Sequence, residues 1–437
     1  MFKFIDSLTR FFPKVNLRAR KYYFRVFRIN SFQLKKKAQD SDFPAEFLFQ
    51  VSANKKFILI DGQCLQSSSY NRGIGRYSRK ILVELARSNP NHEFALLINL
   101  FKDTRNVRNF LEEISPQVSN IFIFMPNHEF FLNEMSLSEI EKIYSEEIAK
   151  LDPDVVLILS IFENPSDVIR YDVSKLSNCF AIFYDLIPLE YPEWFLGIEE
   201  VRNEYLHNLD RLKQISQIFS ISKTSSSKLI EIAQYEGRIE TVGGAGFTEG
   251  PPSEGRKLAD RRGILSVTSG LPHKNVSNLI RAYALLPKAL QMQHNLTLVG
   301  VHGTAEILKF RQMAKELGCT VTFLDLIPDN ELSNLYALSR VSVSPSLSEG
   351  LGMPIFESWD QGCVALGSSG TSLAEILNDG EVTFDPNSFS DLSELLILYL
   401  TDDERWENEQ KRILSEREKH KWSLVADRVA DRLFVRD

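Results

Sequence analysis

From residue 57 onward the chain repeats one unit: a short run of β-branched and other apolar residues, a turn, then roughly ten to fifteen residues of helical periodicity. The first example is FILIDG followed by GIGRYSRKILVELARS. In the second string Ile74, Tyr77, Ile81, Leu82, Leu85 and Ala86 fall on one stripe, as a helix covering a sheet requires. Parallel strands need a crossover back over the sheet, so this alternation predicts an α/β fold with parallel sheets. The runs FALLI, NIFIF, VVLIL, CFAIF and QIFSIS continue a first set of strands to about residue 242. GILSVT, NLTLVG, TVTFLD, VSVSP, CVALG and EVTFD form a second set.

Between the two sets, GGAGFTEGPPSEGRKLADRRG concentrates glycine, proline and charge and carries no periodic apolar pattern, which reads as a linker. A length of 437 residues suits two domains. The expected organisation is a basic arm over 1–50, a first doubly wound Rossmann-like domain over 51–245, a linker over 246–262 and a second such domain over 263–420. A C-terminal helix over 421–437 follows. Sheets of this type bind ligands where loops and helix N-termini converge at the carboxyl ends of strands, so the chemistry belongs in strand-to-helix loops facing a cleft.

Charge divides the chain unevenly. The net charge is −7, yet residues 1–37 hold eleven Lys or Arg against the single acid Asp6. Aromatic residues are interleaved in that arm, which fits a membrane-surface helix or, equally, an arm packed on its own acidic body or on a partner. The negative body argues against nucleic acid as a partner. Cys64, Cys179, Cys319 and Cys363 are widely spaced, with neither a disulfide framework nor zinc-ligand spacing, and imply a reducing, cytoplasmic compartment. The longest apolar runs, VVLILSIF and LLILYL, are far shorter than the roughly 20 residues that span a bilayer.

The most informative stretch is VSPSLSEGLGMPIFESWDQGC, a strand end, a glycine-containing loop and a helix opening at Pro354. Gly350 and Gly352, around Leu351, let the backbone approach a ligand closely. The free N–H groups of such a helix start favour an anion such as a diphosphate. Glu349 and Glu357 bracket the loop, and both can accept hydrogen bonds from hydroxyl groups. Taken alone, two acids here are equally the pattern of a solvated helix start stabilised by its dipole. In SGLPHKNVSNL, Lys274 stands at a helix threshold, where an ammonium group can meet phosphate.

The acid-bearing string resembles the E-x7-E signature of retaining glycosyltransferases of family four, which have the GT-B fold. The resemblance extends over roughly residues 57–436. It implies two Rossmann-like domains facing each other across a cleft. It also implies retaining, metal-independent transfer of a hexose or deoxyhexose from GDP-mannose, dTDP-rhamnose or a UDP-sugar. The acceptor would be a saccharide, lipid-linked, in surface-polysaccharide assembly at the inner face of the cytoplasmic membrane. Glu349, Lys274 and Asp185 would act at the reacting sugar. Lys274, Asn275, Gly350, Leu351, Gly352, Met353 and Glu357 would hold the donor, with no further cofactor. DGQCLQSSSYNRGIGRYS resembles the family's opening strand and glycine-rich loop, which puts Gly73, Gly75 and Arg76 at the cleft. The closing KWSLVADRVADRLF would return to brace the first domain through Leu424, Val425, Val429 and Leu433.

Two departures from the family pattern stand out. His273 and Leu271 occupy positions where Arg and Glu are usual, and Tyr184 precedes the Asp-Leu-Ile-Pro run where His is usual. At an ordinary pKa near 10 a tyrosine is a poor general base, and Asp185 is either a positioning carboxylate or the cap of its turn. These changes keep open a catalytically weak relative that assists a partner enzyme. An epimerase or phosphorylase on the same fold also remains, since fold does not fix function. Asp152-Pro-Asp154 superficially matches a metal-binding D-x-D, but it sits in a proline turn before a buried strand without accompanying ligands. The seven histidines, His302 among them, show no metal-ligand spacing.

Overall fold

The computed structural model describes residues 26–28, 55–99, 102–118, 121–124, 136–246, 257–301, 303–378 and 380–434. Apart from residues 26–28, the basic arm lies outside the described residues, as do most of the linker and His302.

The described residues form two sheets. The first contains β1 (Val26–Arg28), β2 (Phe57–Asp61), β3 (Glu93–Leu97), β4 (Ile121–Phe124), β5 (Val155–Ile158), β6 (Cys179–Phe183), β7 (Gln217–Ser220) and β8 (Arg238–Thr241), in spatial order 1-4-3-2-5-6-7-8. The second contains β9 (Ile264–Val267), β10 (Leu296–Val299), β11 (Val321–Leu324), β12 (Val341–Ser344), β13 (Val364–Ser368) and β14 (Thr383–Phe384), in order 11-10-9-12-13-14. Every ladder is parallel except β1 on β4, where three residues of the arm add an antiparallel edge.

Central strands explain the continuous apolar runs. All five residues of β2 are buried, as are all of β6, β12 and β13, because helices cover both faces. Burying each Leu, Ile or Val side chain contributes about 1.5–3 kcal/mol, and the strands share that gain with the helix faces that cover them. The helix Gly73–Ser88 buries Tyr77, Ile81, Leu82, Leu85 and Ala86 of the stripe its periodicity predicts, while Ile74 at its first turn stays half-buried.

The closing helix Trp422–Leu433 packs on the helix Gly73–Ser88 of the first domain. Its buried face is Trp422, Val425, Ala426, Val429, Ala430 and Leu433, a regular i, i+3, i+4, i+7 series. Leu424, expected in this stripe, is instead 37% exposed. One residue of helix is about 100° of rotation, which carries position 424 off the face that 425 and 429 share. Polar contacts fasten the same helix: Arg428 Nη1 donates to Val242 O at 2.7 Å, and Arg432 pairs with Glu240 at 2.9 Å.

Candidate active site

In each sheet the strand order reverses once, between β2 and β5 in the first and between β9 and β12 in the second. Loops leaving such a pair diverge to opposite sides and open a crevice. The connection after β2 leads into the helix Gly73–Ser88, whose first turn holds Gly73, Gly75 and Arg76; the loop after β9 carries Lys274, and the loop after β12 carries Glu349. Tyr184 and Asp185 follow β6. Topology therefore delivers the sequence-predicted residues to one boundary between the sheets.

Glu349 is the centre of the second-domain half. Its Oε1 accepts from Lys274 Nζ at 2.7 Å and from Ser346 Oγ at 2.7 Å. Burial alone would raise its pKa, but the Lys274 charge and these hydrogen bonds outweigh that and hold the carboxyl below its ordinary value. Glu349 is therefore ionised at neutral pH. Asn275 secures the partner loop: in a left-handed conformation (φ 55), it donates its amide to Pro345 O at 3.0 Å and Pro386 O at 2.7 Å. Both amide hydrogens are thereby used, so Asn275 positions Lys274.

Gly350 shows why this loop tolerates no side chain. A Cβ there would lie 2.7 Å from Tyr184 O, while the Gly350 carbonyl accepts from Ser222 Oγ at 2.6 Å and Ser225 Oγ at 3.0 Å. Leu351 is buried against Gly244, and Gly352 (φ 97) precedes the helix Met353–Asp360, whose Met353 remains partly exposed.

Glu357 hangs from that helix and is 1% exposed. Tyr336 OH donates to its Oε2 at 3.2 Å, and Arg76 of the first domain brings Nη1 to 2.8 Å of Oε1. The same guanidinium reaches Asp329 at 3.3 Å. Burial raises the Glu357 pKa above its ordinary value, and the Arg76 charge from the opposite sheet offsets only part of that rise. Arg76 and Glu357, expected separately at the cleft, thus meet each other. Gly75, one residue earlier, is held by backbone contact, since a Cβ would lie 2.3 Å from Ser69 O; Gly73 faces open space.

On the first-domain side, the Tyr184 hydroxyl shares a hydrogen bond with Ser78 Oγ at 3.0 Å, and its ring meets Tyr77 edge-on at 5.6 Å. Burial pushes its pKa well above the usual tyrosine range. Asp185 Oδ1 accepts from Ile187 N at 3.1 Å and so caps the Leu-Ile-Pro turn; burial raises its pKa. His273 is buried with its ring 5.5 Å from Phe195, and desolvation pushes its pKa down to about 4. It is neutral at pH 7, which leaves Lys274 as the cation of that loop. Tyr184→Phe is expected to cost about 1 kcal/mol in urea unfolding, the value of one hydrogen bond, and to keep most of the turnover. A thousandfold fall in turnover with the fold intact would make the hydroxyl a direct participant instead.

Sequence reasoning missed three arrangements. Glu163 accepts from Ser67 Oγ (2.6 Å), Ser69 Oγ (3.0 Å) and Ser160 Oγ (2.8 Å), which fixes the loop ahead of Gly73. Glu375 of the second domain caps the helix Lys223–Glu231 of the first through Lys223 N and Thr224 N, at 2.9 and 3.0 Å. Lys228 joins Glu190 at 2.6 Å and Ser348 at 2.9 Å, beside Glu349. The Ser67–Ser69 run was the one visible signal, and nothing in sequence paired it with position 163.

Asp154 accepts from Phe57 N at 2.7 Å and so serves the start of β2, while Asp152 ends its helix in a left-handed conformation. Among the described residues no group of three His, Cys, Asp or Glu side chains converges as a metal site, and no helix is long and apolar enough to cross a membrane.

Residues 253–420 match the family described as glycosyl transferases group 1. Over 394 residues the chain is 28% identical to the serotype-specific mannosyltransferase WbdA of Escherichia coli, covering 84% of this chain and 47% of that protein. It is 28% identical over 263 residues to O-antigen chain mannosyltransferase B of Escherichia coli, covering 57% of this chain and 68% of the other. The chain thus spans about half the length of WbdA. Among solved structures, sucrose-phosphate synthase from Thermosynechococcus elongatus aligns with a TM-score of 0.61 at 16% identity, over 86% of this chain and 98% of that one. That likeness concerns the fold. Residues 253–420 therefore form a glycosyl transferases group 1 domain, carried in a chain of GT-B fold.

Proposed function

We propose that this chain is a retaining, metal-independent mannosyltransferase that moves mannose from a nucleotide diphosphate carrier to a saccharide acceptor, lipid-linked, in O-antigen-type polysaccharide assembly. The observation that carries the reading is the Lys274–Glu349 pair at 2.7 Å, set between a helix N-terminus and the Tyr184–Asp185 turn of the opposite sheet. The choice of mannose follows the printed activities of WbdA and O-antigen chain mannosyltransferase B.

In this reading Lys274 and the N–H groups at Met353 receive the diphosphate as it gains negative charge on leaving. The ionised Glu349 orients Lys274 and accepts hydroxyl hydrogen bonds from the sugar. Glu357 and Arg76 lie where the nucleoside would sit, and Asp185 holds the acceptor-side turn. A protonated Tyr184 takes no proton, so the departing diphosphate accepts the acceptor's proton on the same face of the sugar.

A panel of nucleotide sugars screened for protection against thermal unfolding tests donor binding, because a true donor binds only the folded chain. GDP-mannose is expected to raise Tm most, and transfer is expected to proceed unchanged in EDTA. Loss of transfer in EDTA with recovery on manganese would contradict the metal-independent route. An isomerised donor without acceptor consumption would favour an epimerase.

A further inference from the structure

We propose that the stacked pair Tyr191 and Trp194 is an acceptor-saccharide subsite of this chain; the inference rests on the glycosyl-transfer reading and names where the acceptor lies. The two rings are parallel, with centroids 4.5 Å apart and an interplanar angle of 4°. Trp194 is 39% exposed, whereas Trp359, Trp406 and Trp422 are all at most 2% exposed. An exposed tryptophan held rigid by a second ring leaves an apolar surface that no described residue covers, and sugars present an apolar C–H face of matching size.

Position ties this pair to the candidate site. The segment begins at Tyr184 and Asp185, whose atoms contact the Gly350 position. Glu190, next to Tyr191, joins Lys228 and Ser348 in the loop of Glu349. Phe195, next to Trp194, packs on His273, the neighbour of Lys274. The rings therefore lie along the same boundary as the residues assigned to the donor, on the first-domain side.

Charge selects the occupant. Exposed Ile198 and Val201 continue the apolar surface, so a bilayer is the competing partner. Yet the same segment carries Glu190, Glu193, Glu199, Glu200 and Glu204, of which Lys228 pairs with Glu190 and Arg170 with Glu204, against Arg202 as the single base between 187 and 204. Such a surface is repelled by anionic lipid, which attracts clusters of Lys and Arg. Aromatic faces flanked by carboxylates suit an uncharged, hydroxyl-rich ligand: the ring covers the C–H face and the carboxylates accept from hydroxyl groups.

The test uses the full chain with α-linked mannobiose as the probe. Because Trp194 is the exposed tryptophan, mannobiose is expected to change the intrinsic emission of the wild type, and Trp194→Ala should abolish that change. Trp194→Ala should raise the KM for mannobiose roughly tenfold, with Trp194→Phe in between, while the GDP-mannose KM and the Tm shift with GDP-mannose stay as in wild type. An unaltered mannobiose KM in Trp194→Ala, with transfer intact, would overturn the subsite and leave the transferase reading standing. So would unchanged KM together with lost sedimentation on phosphatidylglycerol vesicles, which would assign the patch to a membrane. Absence of both donor protection and transfer in the wild type would instead sink the glycosyl-transfer reading itself.

Discussion

Lys274→Ala is expected to lower kcat for sugar transfer by about a hundredfold, the usual loss when one group that stabilises developing negative charge is removed. The leaving diphosphate gains charge as the glycosidic bond breaks, and Lys274 is the cation of its loop, since His273 is neutral. A second consequence follows at Glu349. Its carboxyl sits below the ordinary value of 4.5 because Lys274 and the hydrogen bonds outweigh burial. Without the ammonium group, burial drives the pKa upward. A depressed carboxylate contributes stability that is present above its unfolded pKa and lost as pH falls through its folded one. With its folded pKa raised, an ionised Glu349 costs the variant stability, a cost that disappears as pH falls, whereas the wild type gains from the ionised group and loses that gain only as pH falls below the ordinary 4.5. Steady-state kinetics and urea unfolding across pH check both parts. Normal kcat in the variant would remove Lys274 from the chemistry.

Trp422→Ala is expected to destabilise the chain by about 3–5 kcal/mol, the range for deleting a large buried aromatic ring. The ring is 2% exposed and meets Tyr77 edge-on at 4.9 Å. Its Nε1 donates to Gly246 O at 2.8 Å, and Tyr77 OH donates to Gly243 O at 2.6 Å. One indole thus joins the closing helix, the helix Gly73–Ser88 and the chain leaving β8. Trp422→Phe keeps most of the apolar contact and should cost about 1 kcal/mol from the lost hydrogen bond, plus a smaller packing term. Urea unfolding gives the difference, and limited proteolysis should release the C-terminal helix earlier from Trp422→Ala. A loss under about 1 kcal/mol would mean the helix is held by Arg428 and Arg432 instead.

Much of the fold was legible because its signals are local. Apolar runs of four or five residues became strands, and the helical stripe of residues 77–86 became a buried face, with Ile74 half-buried at its start. The glycine loop at 350–352 and the lysine at 274 announced themselves by residue type at a strand-to-helix junction. What remained hidden depends on distant partners. Arg76 reaches Glu357 and Asp329 across roughly 250 or more positions of chain, and no periodicity encodes that meeting. Asn275 and Asp185 read as ligand groups, yet both bond to backbone: Asp185 to Ile187 N of its own turn, Asn275 to the carbonyls of Pro345 and Pro386, 70 and 111 positions away. Short polar side chains serve backbone and ligand with the same chemistry, so sequence cannot separate the two uses.

The most direct measurement is product analysis with purified chain, GDP-α-mannose and an α-mannoside acceptor. The anomeric configuration of the new bond would be assigned by NMR and the released nucleotide quantified. The account predicts an α-linked mannose, one GDP released per bond formed, and loss of that product in Lys274→Ala. A β-linked product would contradict retention, and a donor left intact in the presence of every acceptor tried would contradict mannosyl transfer by this chain.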